Sequence, residues 1–329
     1  LFQKMAGDNR MKIAIVGAGA MGSTLGALLQ LGGAEVVLVD PYAAHMRAVR
    51  EKGLSLLCNG TTYNVNGITA VSSPADAGKA DVMILMVKAS YSEAALEQSA
   101  GIRDGQPVLV SFQNGLGHEE ILRRYAAPTR IIYGCLNITG RLLQPGVVKA
   151  TVLNPDESIL FGMYEEDDYI RAAAKALEDC FNRSSLAGAR LTKEINTKIW
   201  NKALINCALN PLGAILRMTA PQMIRDPNAR ALMAATAREV ETVARARGIE
   251  NVDANRFIDV LMPQFEKGPE NYPSMASDVL ITQKKTEIEH LNGAVARMAE
   301  EAGVEAPMCK VLTAMIRALE ENYAVLYHG

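Results

Sequence analysis

Lys202, Asn206 and Asn210 recur every fourth residue within a stretch, 195–210, that is otherwise apolar almost all round. On a helix the three form one polar stripe along a buried rod. A cation and two amides on one face of a buried helix make that face a candidate functional site. Spacing alone leaves a second reading open, in which the stripe is a solvent face and the asparagines cap neighbouring backbone. Lys198 continues the stripe and is the rival lysine.

A different chemistry is written near the start, in Gly17-Ala18-Gly19-Ala20-Met21-Gly22. The pattern G-x-G-x-x-G suits a pyrophosphate. Gly17 lets the chain turn sharply off a strand, Gly19 lets phosphate approach the backbone, and Gly22 lets the next helix lie close on the sheet. A helix N-terminus adds free N–H donors and the positive end of a dipole. Asp40 stands 18 residues beyond Gly22, about where an acid grips the adenosine ribose. The alternative is that it caps a helix with Pro41 in its first position, and both roles can coexist.

These groups need elements to hold them. Ile13–Val16 is an unbroken apolar run, and Leu25, Ala27, Leu28 and Leu29 follow the glycines at helical spacing, so strand, turn and helix succeed one another. Glu35–Val39 reads as a second strand, and residues 41–53 as a helix closed by Gly53. Two β-like runs over 54–71 flank Asn59-Gly60, a hairpin signal. Asp81–Lys88 and Pro107–Phe112 are apolar without alternation, as central parallel strands are. They lead into Lys88 and Asn114, and ligands of open α/β sheets lie beyond carboxyl strand ends. Ile131–Tyr133, Val147–Val152, Ser158–Phe161 and Leu186–Leu191 are further strand candidates, with a helix over Tyr169–Phe181. From Thr192 helical periods dominate. A long helix is expected from Pro273 or Ser274, with residues 284–293 within it or at its end and Glu287 and Glu289 as surface acids.

The chain is expected to divide into a tail over 1–10, an appended remnant with a short native stretch; a dinucleotide-binding domain over 11–190; and a helical substrate and catalytic domain over 191–329. The fold class is α/β: a Rossmann-type doubly wound sheet followed by an all-helical domain. With 329 residues, 49% hydrophobic and 21% charged, the chain has an ordinary globular balance. A net charge of -2 offers no basic face for nucleic acid. No apolar run reaches the roughly 20 residues that span a bilayer, and no secretory signal is read before the first strand. The five cysteines are scattered without C-x-x-C, and none of the four histidines neighbours another, so neither a disulfide framework nor a metal site is expected. A cytoplasmic protein is the expectation, with a homodimer left open.

Taken together, GAGAMG, the Lys88 strand end, Gln113-Asn114-Gly115-Leu116-Gly117, the run KIWNKALINCALNPL (198–212), and Pro273-Ser274-Met275 with Thr286-Glu287-Ile288-Glu289-His290-Leu291-Asn292-Gly293 resemble the ketopantoate reductase (2-dehydropantoate 2-reductase) family. The resemblance runs from Met11 to about Ala306. It implies a proton-donating Lys202, substrate contacts from Asn206 and Asn210, and a carboxylate anchor at Ser274. It also implies places near nicotinamide and substrate for Asn114 and Lys88, and a glutamate at Glu287 that contacts the cofactor and orders the site. Three departures stand out. Asp40 occupies a position where many members carry a basic residue for the 2′-phosphate of NADP. Met218-Thr219-Ala220 stands where members carry a substrate-binding asparagine. One residue more than usual separates Ser274 from Glu287.

The expected reaction is reduction of a 2-keto acid to a D-2-hydroxy acid, ketopantoate to pantoate in pantothenate and coenzyme A biosynthesis. NAD(H) is favoured by Asp40, with NADP(H) as the alternative. A D-2-hydroxyacid dehydrogenase on the same scaffold is the nearest rival. A dinucleotide-sensing protein without turnover is the rival from another class, and it would need no proton-donating lysine.

Overall fold

The structure is a computed structural model describing residues 10–152 and 154–324, so the expected tail, Arg10 apart, lies outside the described residues. Two compact units are present. One holds the described residues through Gln113 together with His118–Ile195; the other holds Asn114–Gly117 and the described residues from Asn196 onward.

The first unit is built on β1 (Lys12–Val16), β2 (Glu35–Val39), β3 (Leu54–Cys58), β4 (Thr61–Val65), β5 (Thr69–Val71), β6 (Val82–Leu85), β7 (Val108–Ser111), β8 (Ile131–Leu136), β9 (Ile138–Gln144), β10 (Val147–Val152), β11 (Ile159–Met163) and β12 (Ala189–Leu191). Eight of these form one sheet in the order β12-β11-β8-β7-β6-β1-β2-β5. Neighbours from β5 across to β8 pair in parallel, whereas β11 runs antiparallel to β8. The strand order reverses between β1 and β6, and at such a switch point a crevice opens beyond the carboxyl ends of the strands. β6 and β7 are buried throughout, which is why they read as continuous apolar runs.

Four strands form a second sheet, β4-β3-β10-β9, that the sequence reading did not separate from the first. The hairpin at Asn59-Gly60 is present, with φ of 45° and 90° at its two central residues. The hairpin's partner is β10, paired in parallel with β3 although Val147 lies 92 residues beyond its partner Ser55. A pairing that distant leaves no local sequence signal. β9 was not anticipated either; it exists because it pairs antiparallel with β10.

Helix α1 (Ala20–Leu31) follows the glycine turn, α2 (Ala43–Lys52) follows β2, and α3 (Asp168–Arg183) precedes β12. β12 pairs with β11 in the first unit, which runs to Ile195. Among described residues beyond Leu191 no strand occurs. The second unit centres on α4 (Ile195–Leu216), packed among α5 (Ala220–Arg225), α6 (Pro227–Ala246), α7 (Asn292–Ala302) and α8 (Pro307–Glu321). Trp200, Leu204, Cys207, Ala208 and Leu212 carry α4 into the core.

One element departs clearly from expectation. The helix beginning at Ser274 is a single α turn, Ser274–Ser277. It widens into a π turn over Asp278–Thr282 and stops at Gln283, which adopts φ 47°. Residues 284–293 are therefore not its continuation. An i→i+5 turn holds one residue more than an α turn, so the chain between Ser274 and Gln283 is wound more loosely than an α-helix of that length.

Candidate active site

In the first unit the glycine turn is held from three sides. Gly17 has φ 97°, donates its N–H to Val39 O at 2.9 Å, and leaves no room for a Cβ, which would lie 2.4 Å from Val87 N. Any side chain here would have to displace the backbone after β6. At Gly22 helix α1 lies close on the sheet, a Cβ there coming within 3.4 Å of Ile15 on β1. The same Cβ would also strike the Gly17 carbonyl oxygen, and Gly26 lies closer still to the sheet, its Cβ 2.7 Å from Leu38. Ala18 is fully buried, whereas Gly19 is exposed and an added Cβ there would meet nothing within 4 Å. Ala20 and Met21 open α1, half-buried. The turn thus presents open backbone at a helix N-terminus, the arrangement that receives a phosphate.

Asp40 lies at the end of β2, half-buried, with its N–H donated to Val71 O. The cap reading is corrected. Asp40 Oδ1 accepts the Tyr42 N–H at 2.9 Å, closing an Asx turn, and α2 starts later, at Ala43. Lys88 does not end β6, which stops at Leu85; it sits three residues on, before the turn Ala89–Tyr91. Gln113, which the sequence marked only as part of a motif, is buried. Its Nε2 donates to Val87 O at 2.7 Å and to Ser92 Oγ at 2.9 Å, fastening the end of β7 to the segment that carries Lys88.

The second unit gathers the remaining candidates. Lys202 and Asn206 are half-buried on α4 and Asn210 is buried. Two helical turns, about 12 Å, separate the first from the last. The same face continues to Gly213, where a Cβ would press on Pro273 at 2.8 Å. That contact brings exposed Ser274, the residue after Pro273, to the C-terminal end of the stripe. Asn114 is exposed at the start of a segment docked within this unit. The Leu116 N–H donates to His290 O at 2.8 Å, and Gly115, at φ 107°, lies against the same residue.

Glu287 is not on a helix. It is half-buried, and its carbonyl accepts the N–H groups of His290 and Leu291 at the turn Ile288–His290. Glu289 is paired with Arg317 at 2.5 and 2.7 Å and with Arg297, and these contacts hold its carboxyl below the usual range. Burial, then Arg297, lowers the pKa of His290.

A residue missed from sequence secures this turn. Pro211 lies inside α4 and has no N–H to give to Cys207 O. Asn292, fully buried, supplies the missing donor from Nδ2 at 3.1 Å. A proline within a helical period was the available signal, because it predicts a carbonyl four residues earlier in need of a donor. At the departure Met218-Thr219-Ala220, Thr219 caps α5 in a capping box with Gln222 and bonds Glu270, which also pairs with Arg225.

A cavity of about 690 Å3 opens at the far end of α4, lined by Ile215, Arg217, Tyr272, Leu280 and Leu319 among others; none of the candidate site residues lines it. Among the described residues no cluster of His, Cys, Asp and Glu could hold a metal ion, and no helix is long and apolar enough to cross a membrane.

Comparison with known proteins adds a family. Residues 13–166 match the model described as ketopantoate reductase PanE/ApbA, and residues 194–320 match that of its C-terminal part. A 2-dehydropantoate 2-reductase of Pyrococcus abyssi is 32% identical over 317 residues, covering 94% of this chain and 98% of its own. Among solved structures, a D-mandelate dehydrogenase with NADH and anilino(oxo)acetate is 31% identical with a TM-score of 0.85, covering 96% of this chain and all of its own. A ketopantoate reductase of the same family from Ralstonia eutropha is 25% identical with a TM-score of 0.81, over 94% of this chain and 99% of its own.

Proposed function

We propose a reaction that proceeds from one fact: this chain belongs to the ketopantoate reductase PanE/ApbA family, oxidoreductases acting on a CH–OH group. The reaction is reduction of a 2-keto acid, ketopantoate, to its D-2-hydroxy acid, pantoate. The observation that carries it is the α4 face, where a lysine and two asparagines share one stripe that leads to Ser274. A binding protein without turnover has no use for the lysine.

The turn Gly17–Gly22 and Asp40 suit a nicotinamide dinucleotide, since the exposed Gly19 backbone leaves room for a pyrophosphate. Reduced nicotinamide supplies the hydride. Lys202 stabilises the charge that grows on the substrate's carbonyl oxygen and delivers the proton to it. Asn206 and Asn210 orient that carbonyl or a neighbouring hydroxyl, and Ser274 binds the carboxylate. Asn114, Lys88 and Glu287 complete the contacts to substrate and cofactor. NADH is the preferred donor, because Asp40 repels a 2′-phosphate. Arg50 is engaged with Ala70 O at 3.1 Å, which leaves exposed Arg47 as the arginine of α2 able to offset that repulsion.

A second reading, a D-2-hydroxyacid dehydrogenase, is favoured by the likeness to D-mandelate dehydrogenase with NADH and by Thr219 near the place of the family's further asparagine. Oxidation of NADH and NADPH with ketopantoate and with simpler branched or aromatic 2-keto acids decides. Ketopantoate turned over fastest supports the first reading. Much faster turnover of the simpler acids supports the second, and binding of dinucleotide without turnover of any acid refutes both.

A further inference from the structure

His45 is fully buried on α2 and belongs to none of the groups above. Its ring joins three separate segments. Nδ1 accepts the Gly146 N–H from the β9–β10 turn at 2.9 Å. Nε2 lies 2.9 Å from the hydroxyl of Ser23, a fully buried residue of α1, and that hydroxyl donates to Ala18 O at 2.8 Å. Burial lowers the pKa of His45, against the opposing charge of Asp40, and a neutral imidazole has one donor and one acceptor nitrogen. A backbone N–H can only donate. Nδ1 therefore accepts, Nε2 carries the hydrogen, and the chain runs one way: Gly146 N–H to His45, His45 Nε2–H to Ser23, Ser23 O–H to Ala18 O.

The end of that chain matters because of peptide geometry. The described chain has no cis peptide, and in a trans peptide C=O and N–H point in opposite directions. Ser23 draws Ala18 O inward, so the Gly19 N–H of the same peptide points outward, on the exposed side where a Cβ would meet nothing. With Ala18 O released, the peptide could rotate and turn a carbonyl toward the phosphate instead.

We infer that His45, through Ser23, is a positioning residue that aims the Gly19 N–H at the pyrophosphate of the dinucleotide. The inference rests on the dinucleotide site of the proposed function. Its test uses the whole protein with Ser23→Ala, His45→Asn and His45→Gln, titrated with NADH, NADPH, ADP-ribose and adenosine. Asparagine retains an acceptor near the place of Nδ1 and loses the donor to Ser23; glutamine keeps a donor near the place of Nε2. Loss of one hydrogen bond corresponds to about fivefold in affinity. Ser23→Ala and His45→Asn should each weaken the dinucleotide and ADP-ribose by about that factor. Adenosine, which has no pyrophosphate, should bind as before, kcat at saturating dinucleotide should stay within about twofold, and His45→Gln should restore affinity. Equal weakening of adenosine and ADP-ribose, or equal behaviour of the asparagine and glutamine variants, overturns the inference alone. A wild-type protein that binds neither dinucleotide overturns the inference and the site on which it rests.

Discussion

Asn292→Ala tests how the turn carrying Glu287 is fastened to α4. The side chain is fully buried and its Nδ2 donates to Cys207 O, a carbonyl that Pro211 cannot serve. Alanine leaves that carbonyl buried without a donor, at about 1–3 kcal/mol. Part returns, because Asn292 Oδ1 is itself buried without a hydrogen-bond partner among the described residues, and its removal ends that penalty. The net loss is about 1–2 kcal/mol. Trp200, the single tryptophan, is buried on the same helix, so its emission during urea unfolding reports on this unit. With a slope of about 2 kcal/mol per molar urea, the midpoint falls by about 0.5–1 M. The cause is separated from the size by Pro211→Ala, which restores an N–H within reach of Cys207 O. In that background Asn292→Ala should cost about 1 kcal/mol less. An unchanged midpoint in the single variant, or the same loss in both backgrounds, refutes the account.

Further predictions bear on the chemistry. Lys202→Ala should lower kcat by about 10²–10⁴ with dinucleotide affinity retained, whereas a crippled Lys198→Ala beside a near-normal Lys202→Ala would reverse the assignment. Ser274→Ala should raise KM for the keto acid more than it lowers kcat, and an unchanged KM removes Ser274 from the site. A carboxylate and a phosphate 4 Å apart repel by about 4 kcal/mol per pair of unit charges at an effective dielectric of about 20, cut by salt and movement to about 1–3. The wild type should therefore favour NADH in kcat/KM by about tenfold to a hundredfold, and Asp40→Ser should shift preference toward NADPH; a wild-type preference for NADPH ends the ribose role of Asp40. All five cysteines are buried as free thiols, and burial pushes the Cys207 and Cys309 thiols well above the usual range. An aromatic disulfide reagent at pH 8 should titrate few thiols in the native protein and all five in denaturant; rapid native reaction would show that these sites open.

What the sequence determined by itself was local. The glycine turn, the buried strands, the Asn59-Gly60 hairpin and the apolar helix with its lysine and asparagines are each encoded within some twenty residues of chain, through φ preference and hydrophobic period. Those motifs also sufficed for family membership. The tertiary structure decided what depends on distant partners. The second sheet arises from a pairing between β3 and β10, and the helix from Ser274 ends at Gln283 although its period suggested continuation. Asp40 chose Tyr42 over a helix cap because α2 begins two residues beyond Pro41. Asn292 and His45 looked unremarkable in sequence. Their roles come from carbonyl, hydroxyl and N–H groups far along the chain that burial leaves in need of partners, and only the folded chain brings those groups within reach.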